Sequence, residues 1–178
     1  MIDPLITLII SLSLALLFFM AARHKMNASR QFQSQLAAYE LLPEALVPIM
    51  AKLLPLIEMA LVFLLLIPLT RPVAALMAML LLAVYATAMG INLLRGRSEI
   101  DCGCGGEPQV LSDWLMLRNF VLMIGSGLLL VPVSDRAVGA ADTVLLILMT
   151  AVLAMAYLLV EQLVRNQAVL SNRSSNNG

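Results

Sequence analysis

The chain has 178 residues, of which 61% are hydrophobic and 12% charged, where soluble domains run at roughly 45–50% and about 25%. Such a composition needs lipid as its solvent and points to one helical bundle rather than several soluble domains. Eleven basic residues balance eleven acidic ones and only 5% of residues are aromatic, so the chain offers neither a basic surface nor stacking platforms for nucleic acid.

In chain order, Met1-Ile2-Asp3-Pro4 lacks the positive region of a cleavable signal, and the first helix is expected to remain in the mature protein. Residues 5–22 form an uncharged first span that ends at Arg23, His24 and Lys25, a basic cluster expected at the lipid headgroups. His24, the single histidine, is read there as a headgroup neighbour rather than a ligand. Residues 27–42 turn polar, with Phe32, Leu36, Tyr39 and Leu42 at roughly helical spacing, the pattern of an amphipathic helix on the membrane surface or along the bundle. Residues 45–69 are apolar despite Lys52 and Glu58, and Pro48, Pro55 and Pro68 make them a kinked second span. Thr70-Arg71-Pro72 leaves room only for a tight turn before a third span over residues 73–94, so these two spans form an antiparallel hairpin.

Within the polar stretch 95–113, the run Asp101-Cys102-Gly103-Cys104-Gly105-Gly106-Glu107-Pro108 forbids a regular helix and puts both cysteines in a loop at the membrane edge. Residues 114–133 form a fourth span, with Trp114 as interfacial anchor and Arg118 placed to snorkel, and residues 143–164 a fifth. The Ser- and Asn-rich residues 171–178 are expected to be a disordered tail. The expected fold class is all-α: a polytopic integral membrane helical bundle of about five spans over residues 1–170, multi-pass in the lipid bilayer. Arg23, Lys25, Arg30, Arg95, Arg97, Arg118, Arg165 and Arg173 fall on one side and only Arg71 and Arg136 on the other. The positive-inside rule makes the first side cytoplasmic, and with it the cysteine loop.

The chemistry rests on few residues. Cys102 and Cys104 are the only cysteines, which excludes a disulfide framework and a four-cysteine zinc site. On a helix, positions i and i+2 project about 200° apart, so the pair can bond only in a loop. Gly103 lets the backbone bend until the Cα atoms approach the roughly 4.4–6.8 Å that a disulfide requires. Such a ring is strained, and strained disulfides are the labile or catalytic ones. Unpaired cysteines that tighten a turn, or that collect adventitious metal, are the alternatives. Asp101 and Glu107 oppose Arg95 and Arg97 around the pair, so thiolate reactivity is not fixed by charge.

Glu58 lies inside a span, where a charged carboxylate costs at least about 2.5 kcal/mol unless paired or neutral; it is expected to face the bundle interior. Lys52, six residues away, projects about 120° from it on a helix and is not its partner. Glu58 is therefore a candidate proton relay or quinone contact, set against a structural hydrogen bond between helices. Asn92 and Asn119 can bond across helices near the loop, and with Gly103 and Arg118 are positioning candidates.

Tyr39-Glu40-Leu41-Leu42-Pro43, Leu54-Pro55-Leu56-Ile57-Glu58, Arg95-Gly96-Arg97, Asp101-Cys102-Gly103-Cys104-Gly105 and Leu117-Arg118-Asn119 occur in this order. With them the chain resembles the methylamine utilisation protein MauE family, within the DoxX-like group of small membrane bundles, over roughly residues 1 to 135. The family commonly has an aromatic residue after the second cysteine, where this chain has Gly105 and Gly106. The resemblance implies a bacterial inner (cytoplasmic) membrane protein that matures the disulfide-rich small (beta) subunit of periplasmic methylamine dehydrogenase with a thioredoxin-like, MauD-type partner. Cys102 and Cys104 would be the redox pair of a thiol-disulfide relay, with Glu58 handling protons. No cofactor is fixed by these residues; a membrane quinone is the candidate electron acceptor. Disulfide formation in the periplasm places the loop on the opposite face from the charge tally, and both placements stay open. The rival readings are a non-enzymatic scaffold for processing or export of the subunit, and a small-solute carrier centred on Glu58, which lacks an evident inverted repeat.

Overall fold

The computed structural model describes residues 1–97 and 113–176. Among these residues six helices follow in order: α1 (Pro4–Asn27), α2 (Ser29–Ala38), α3 (Val47–Leu66), α4 (Arg71–Leu94), α5 (Asp113–Leu128) and α6 (Ala140–Asn176). They fall into two compact units, Met1–Arg136 with α1 to α5, and Ala137–Gly178 with α6.

The start of α1 is set by its first residues. Asp3 Oδ1 accepts from Leu5 N at 2.8 Å, and Pro4 takes the first helical position, where its missing N–H costs nothing. The same carboxylate receives Arg136 through both oxygens at 3.1 Å, a bidentate pair. Ile2 N donates to Pro132 O and Ser134 N to Ile2 O, both at 2.9 Å, so the two ends of this unit are joined by charge and backbone together.

The hairpin expected between the second and third spans is α3, the turn at residues 67–70, and α4. Its turn closes the end of α3 with side chains: Thr70 Oγ1 donates to Leu64 O at 2.8 Å and Arg71 Nε to Leu65 O at 3.3 Å, which satisfies carbonyls that a helix end leaves open. Pro55 sits within α3, and that helix runs on through it. Leu14, Ala15 and Phe18 of α1, Leu61 and Leu65 of α3, and Ala74, Ala75 and Ala78 of α4 make the core. The three alanines, fully buried, let helix backbones approach closely, as lipid-solvated bundles require. Leu56, Phe63 and Leu80 project outward and more than half exposed, an apolar surface suited to lipid.

Among the described residues, four helices can cross a membrane by length and composition: α1, α3, α4 and the Ala140–Leu163 part of α6. The segment read as a fourth span over residues 114–133 is a helix of only 16 residues, Asp113–Leu128. Its last part leaves the helix as successive tight turns, with Leu129 N, Leu130 N and Val131 N each donating three residues back. Pro132 accounts for the stop, because it has no N–H and restricts the residue before it. The amphipathic stretch 27–42 contains α2, a ten-residue helix with Phe32 buried. In the second unit α6 extends unbroken beyond residues 143–164 as far as Asn176, taking in most of the segment expected to be a tail.

Candidate functional site

Three helices bring one polar cluster into the apolar interior. The buried stripe of α1 recurs every three or four residues, through Ser11, Leu14, Phe18 and Ala22, and the next position on it is Lys25. On α3 the same periodicity through Ala51, Pro55, Val62 and Leu65 includes Glu58. On α4, Tyr85 stands between the buried residues Leu81 and Met89. Lys25 Nζ donates to Glu58 Oε1 and, at 3.2 Å, to Tyr85 Oη; Tyr85 Oη in turn donates to Glu58 Oε1 at 2.8 Å. The ammonium also lies 4.7 Å from the Tyr85 ring centroid and 5.3 Å from that of Phe32, within cation–π range. Glu58 Oε2 has no partner among the described residues.

Lys25 thus turns into the bundle while Arg23 beside it is exposed; Lys25 is 3% exposed and paired with a fully buried Glu58. An unpaired charge there would cost several kcal/mol, on the order of 3–5, so each group requires the other. Glu58 faces the interior as expected, and Lys52 lies exposed on another face of α3. The sequence reading missed Lys25 and Tyr85. The spacing Ser11, Phe18, Lys25, seven residues at a time, is the signal that puts Lys25 on the buried stripe.

A second arrangement lies at the end of α4, ahead of the segment that carries Cys102 and Cys104. Gly96 adopts φ 72°, Gly96 N donates to Leu93 O at 3.0 Å and Arg97 N to Asn92 O at 3.0 Å. This is a Schellman stop, which uses glycine for its left-handed residue. It turns Arg97 back, so that its guanidinium meets Glu40 at 2.7 Å. That hydrogen bond, and then the charge of Arg97, hold the Glu40 carboxyl below its ordinary value of 4.5 and raise Arg97. Fully buried Asn92 donates through Nδ2 to Tyr39 O and to Ala88 O, each at 3.2 Å, and so ties α4 to the segment after α2. Leu115, in the first turns of α5, packs with Tyr39 and Met89. Asn92 and Leu115, on the helices that flank residues 98–112, therefore both meet Tyr39. Cys102, Gly103 and Cys104 lie outside the described residues.

Asn119 is buried on α5 and donates to Leu115 O of its own helix at 2.8 Å; Arg118 is half-buried beside it. Among the described residues no group of three or more His, Cys, Asp or Glu side chains is placed to hold a metal. Between α2, α3 and α4 lies a cavity of about 230 Å³ whose lining includes Lys25, Phe32, Tyr39, Leu54, Tyr85 and Met89.

The family model for methylamine utilisation protein MauE matches residues 3–132, a range that takes in α1 to α5. The methylamine utilization protein MauE of Paracoccus denitrificans is 41% identical over 125 residues, covering 68% of this chain and 67% of that protein. Its counterpart in Methylophilus methylotrophus is 39% identical over 110 residues, 62% of this chain and 58% of the relative. That of Methylorubrum extorquens is 35% identical over 139 residues, 76% and 75% of the two chains. No solved structure matches. Tyr39, Glu40, Glu58, Gly96 and Arg97, all from motifs that carried the resemblance, take part in the two arrangements above, and the chain belongs to the methylamine utilisation protein MauE family.

Proposed function

We propose that this protein is the inner-membrane component of a thiol-disulfide relay in methylamine metabolism. It serves maturation of the disulfide-rich small subunit of methylamine dehydrogenase, with a thioredoxin-like, MauD-type partner. In the relay a Cys102–Cys104 disulfide accepts two electrons and two protons from a dithiol of the partner or subunit, which becomes a disulfide as the pair becomes two thiols. A quinone in the bilayer then takes the two electrons and two protons, becomes a quinol, and restores the Cys102–Cys104 bond.

The observation that carries the reading is the anchoring of both ends of the cysteine segment: Arg97 is held by Glu40 and by the Schellman stop, and Leu115 is packed on Tyr39 and Met89. A redox loop gains from fixed roots, because exchange needs the attacking and leaving sulfurs aligned. The protonatable cluster of Lys25, Glu58 and Tyr85 reaches the same region, with Tyr85 two helical turns before Asn92, about 10 Å along α4.

The test is replacement of both cysteines by serine in a host that makes methylamine dehydrogenase. Loss of the small-subunit disulfides at unchanged abundance of the membrane protein supports the relay. Normal maturation rejects it in favour of a non-enzymatic scaffold that recruits or exports the subunit.

A further inference from the structure

The cavity of about 230 Å³ between α2, α3 and α4 has one charged lining residue, Lys25, and otherwise mostly apolar walls. An ammonium carries three donors. Two of those of Lys25 go to Glu58 and Tyr85, and the third is available to an acceptor inside the cavity. The charge of the head group is constrained by what is already there. Lys25 and Glu58 neutralise each other, so an anionic head would bring an uncompensated charge into low dielectric and a cationic head would face the ammonium. A neutral carbonyl meets both conditions.

Size and walls narrow the class further. The volume lies below the roughly 300–1,000 Å³ of sites for drug-sized ligands, so it accommodates a single substituted ring and not a whole lipid. Phe32, Tyr39 and Tyr85 provide aromatic surface, and Met50 and Met89 provide polarizable thioethers, which suit a flat ring. At the cavity wall Val84 is 60% exposed on the apolar outer side of α4, an exit for a hydrocarbon tail into lipid.

We infer that this cavity holds the head ring of a quinone-class prenyl lipid, with one ring carbonyl accepting from Lys25 Nζ. The inference names the site of the electron acceptor in the relay and rests on that reading for its redox role, in which quinone plus two electrons and two protons from the Cys102 and Cys104 thiols gives quinol and a disulfide. Binding itself does not require the cysteines.

The experiment is calorimetric titration of the full-length protein, in detergent, with a benzoquinone bearing one isoprenoid unit, and with decanoate as a competitor. Ala88→Phe fills the cavity and keeps the Lys25, Glu58 and Tyr85 side chains themselves, and Val84→Trp blocks the exit should the first variant fail to fold. Saturable binding to wild type that weakens at least tenfold in either folded variant and is not displaced by decanoate is the expected result. Equal affinity of wild type and variants, absence of binding to wild type, or displacement by decanoate overturns it. The Cys102→Ser, Cys104→Ser double variant separates the two ideas: it binds the quinone as wild type does, whatever its effect on maturation, and loss of binding there also overturns the site.

Discussion

Two glutamate–cation pairs bracket the same stretch of α4 and are built in opposite ways. The Glu58 and Lys25 side chains are 1% and 3% exposed, and Tyr85 joins them. The Glu40 and Arg97 side chains are 62% and 38% exposed and stand in solvent. The buried pair has paid the desolvation of two ions, so loss of either partner is expensive. The exposed pair gains little from Coulomb attraction in high dielectric, and salt screens it; its role is to direct the backbone after the Gly96 stop. One pair builds a polar point inside an apolar bundle, and the other ties the end of α4 to the segment after α2.

The largest effect is expected from breaking the buried pair. Glu58→Gln or Lys25→Met alone leaves one buried ion unpaired and lowers stability by about 3–5 kcal/mol, read as the thermal midpoint in detergent, while the double variant recovers most of the loss. Single variants as stable as wild type would mean that the two groups do not depend on each other. A smaller effect belongs to the helix stop. Gly96→Ala forces a side chain into the left-handed region at a cost of roughly 1–2 kcal/mol. Nothing lies within 4 Å of the added Cβ, so the cost is backbone strain without a clash. An unchanged melting midpoint would contradict the left-handed conformation.

The smallest effect is expected from the exposed pair, and it depends on pH. The folded-state pKa of Glu40 is lowered from 4.5, so its contribution is fully present above that value and is lost as pH falls through the lower folded value. The difference in melting midpoint between wild type and Arg97→Ala is therefore expected to be small at neutral pH, to narrow in acid below 4.5, and to shrink with added salt. A difference that grows in acid reverses the sign and removes the clamp.

The same contrast explains what could be read from sequence. The apolar runs and the Thr70-Arg71-Pro72 turn located α1, α3 and α4 to within a few residues, because a helix in lipid must be both long and apolar. The interior placement of Glu58 and the exclusion of Lys52 followed from helix geometry alone. Lys25 did not follow, because Arg23 and His24 beside it resemble a headgroup cluster and its partner lies 33 residues away. Tyr85 carries no charge, and nothing in the sequence sets it apart from the apolar residues of α4. The Glu40–Arg97 pair joins two motifs that sequence order separates by an entire hairpin, and only the fold brings them together. The fourth span was read as too long, because apolar character persists through Val131 and Val133 where Pro132 has already ended helix geometry.

The proposed relay requires a reversible bond between Cys102 and Cys104, and thiol labelling in membranes opened on both faces tests it directly. Wild type, Cys102→Ser and Cys104→Ser are treated with a maleimide before and after reduction. The expected result is labelling of wild type only after reduction, with each single variant labelled at its remaining cysteine without it. Wild-type thiols labelled equally with and without reduction would contradict the relay and leave the cysteine loop a structural turn.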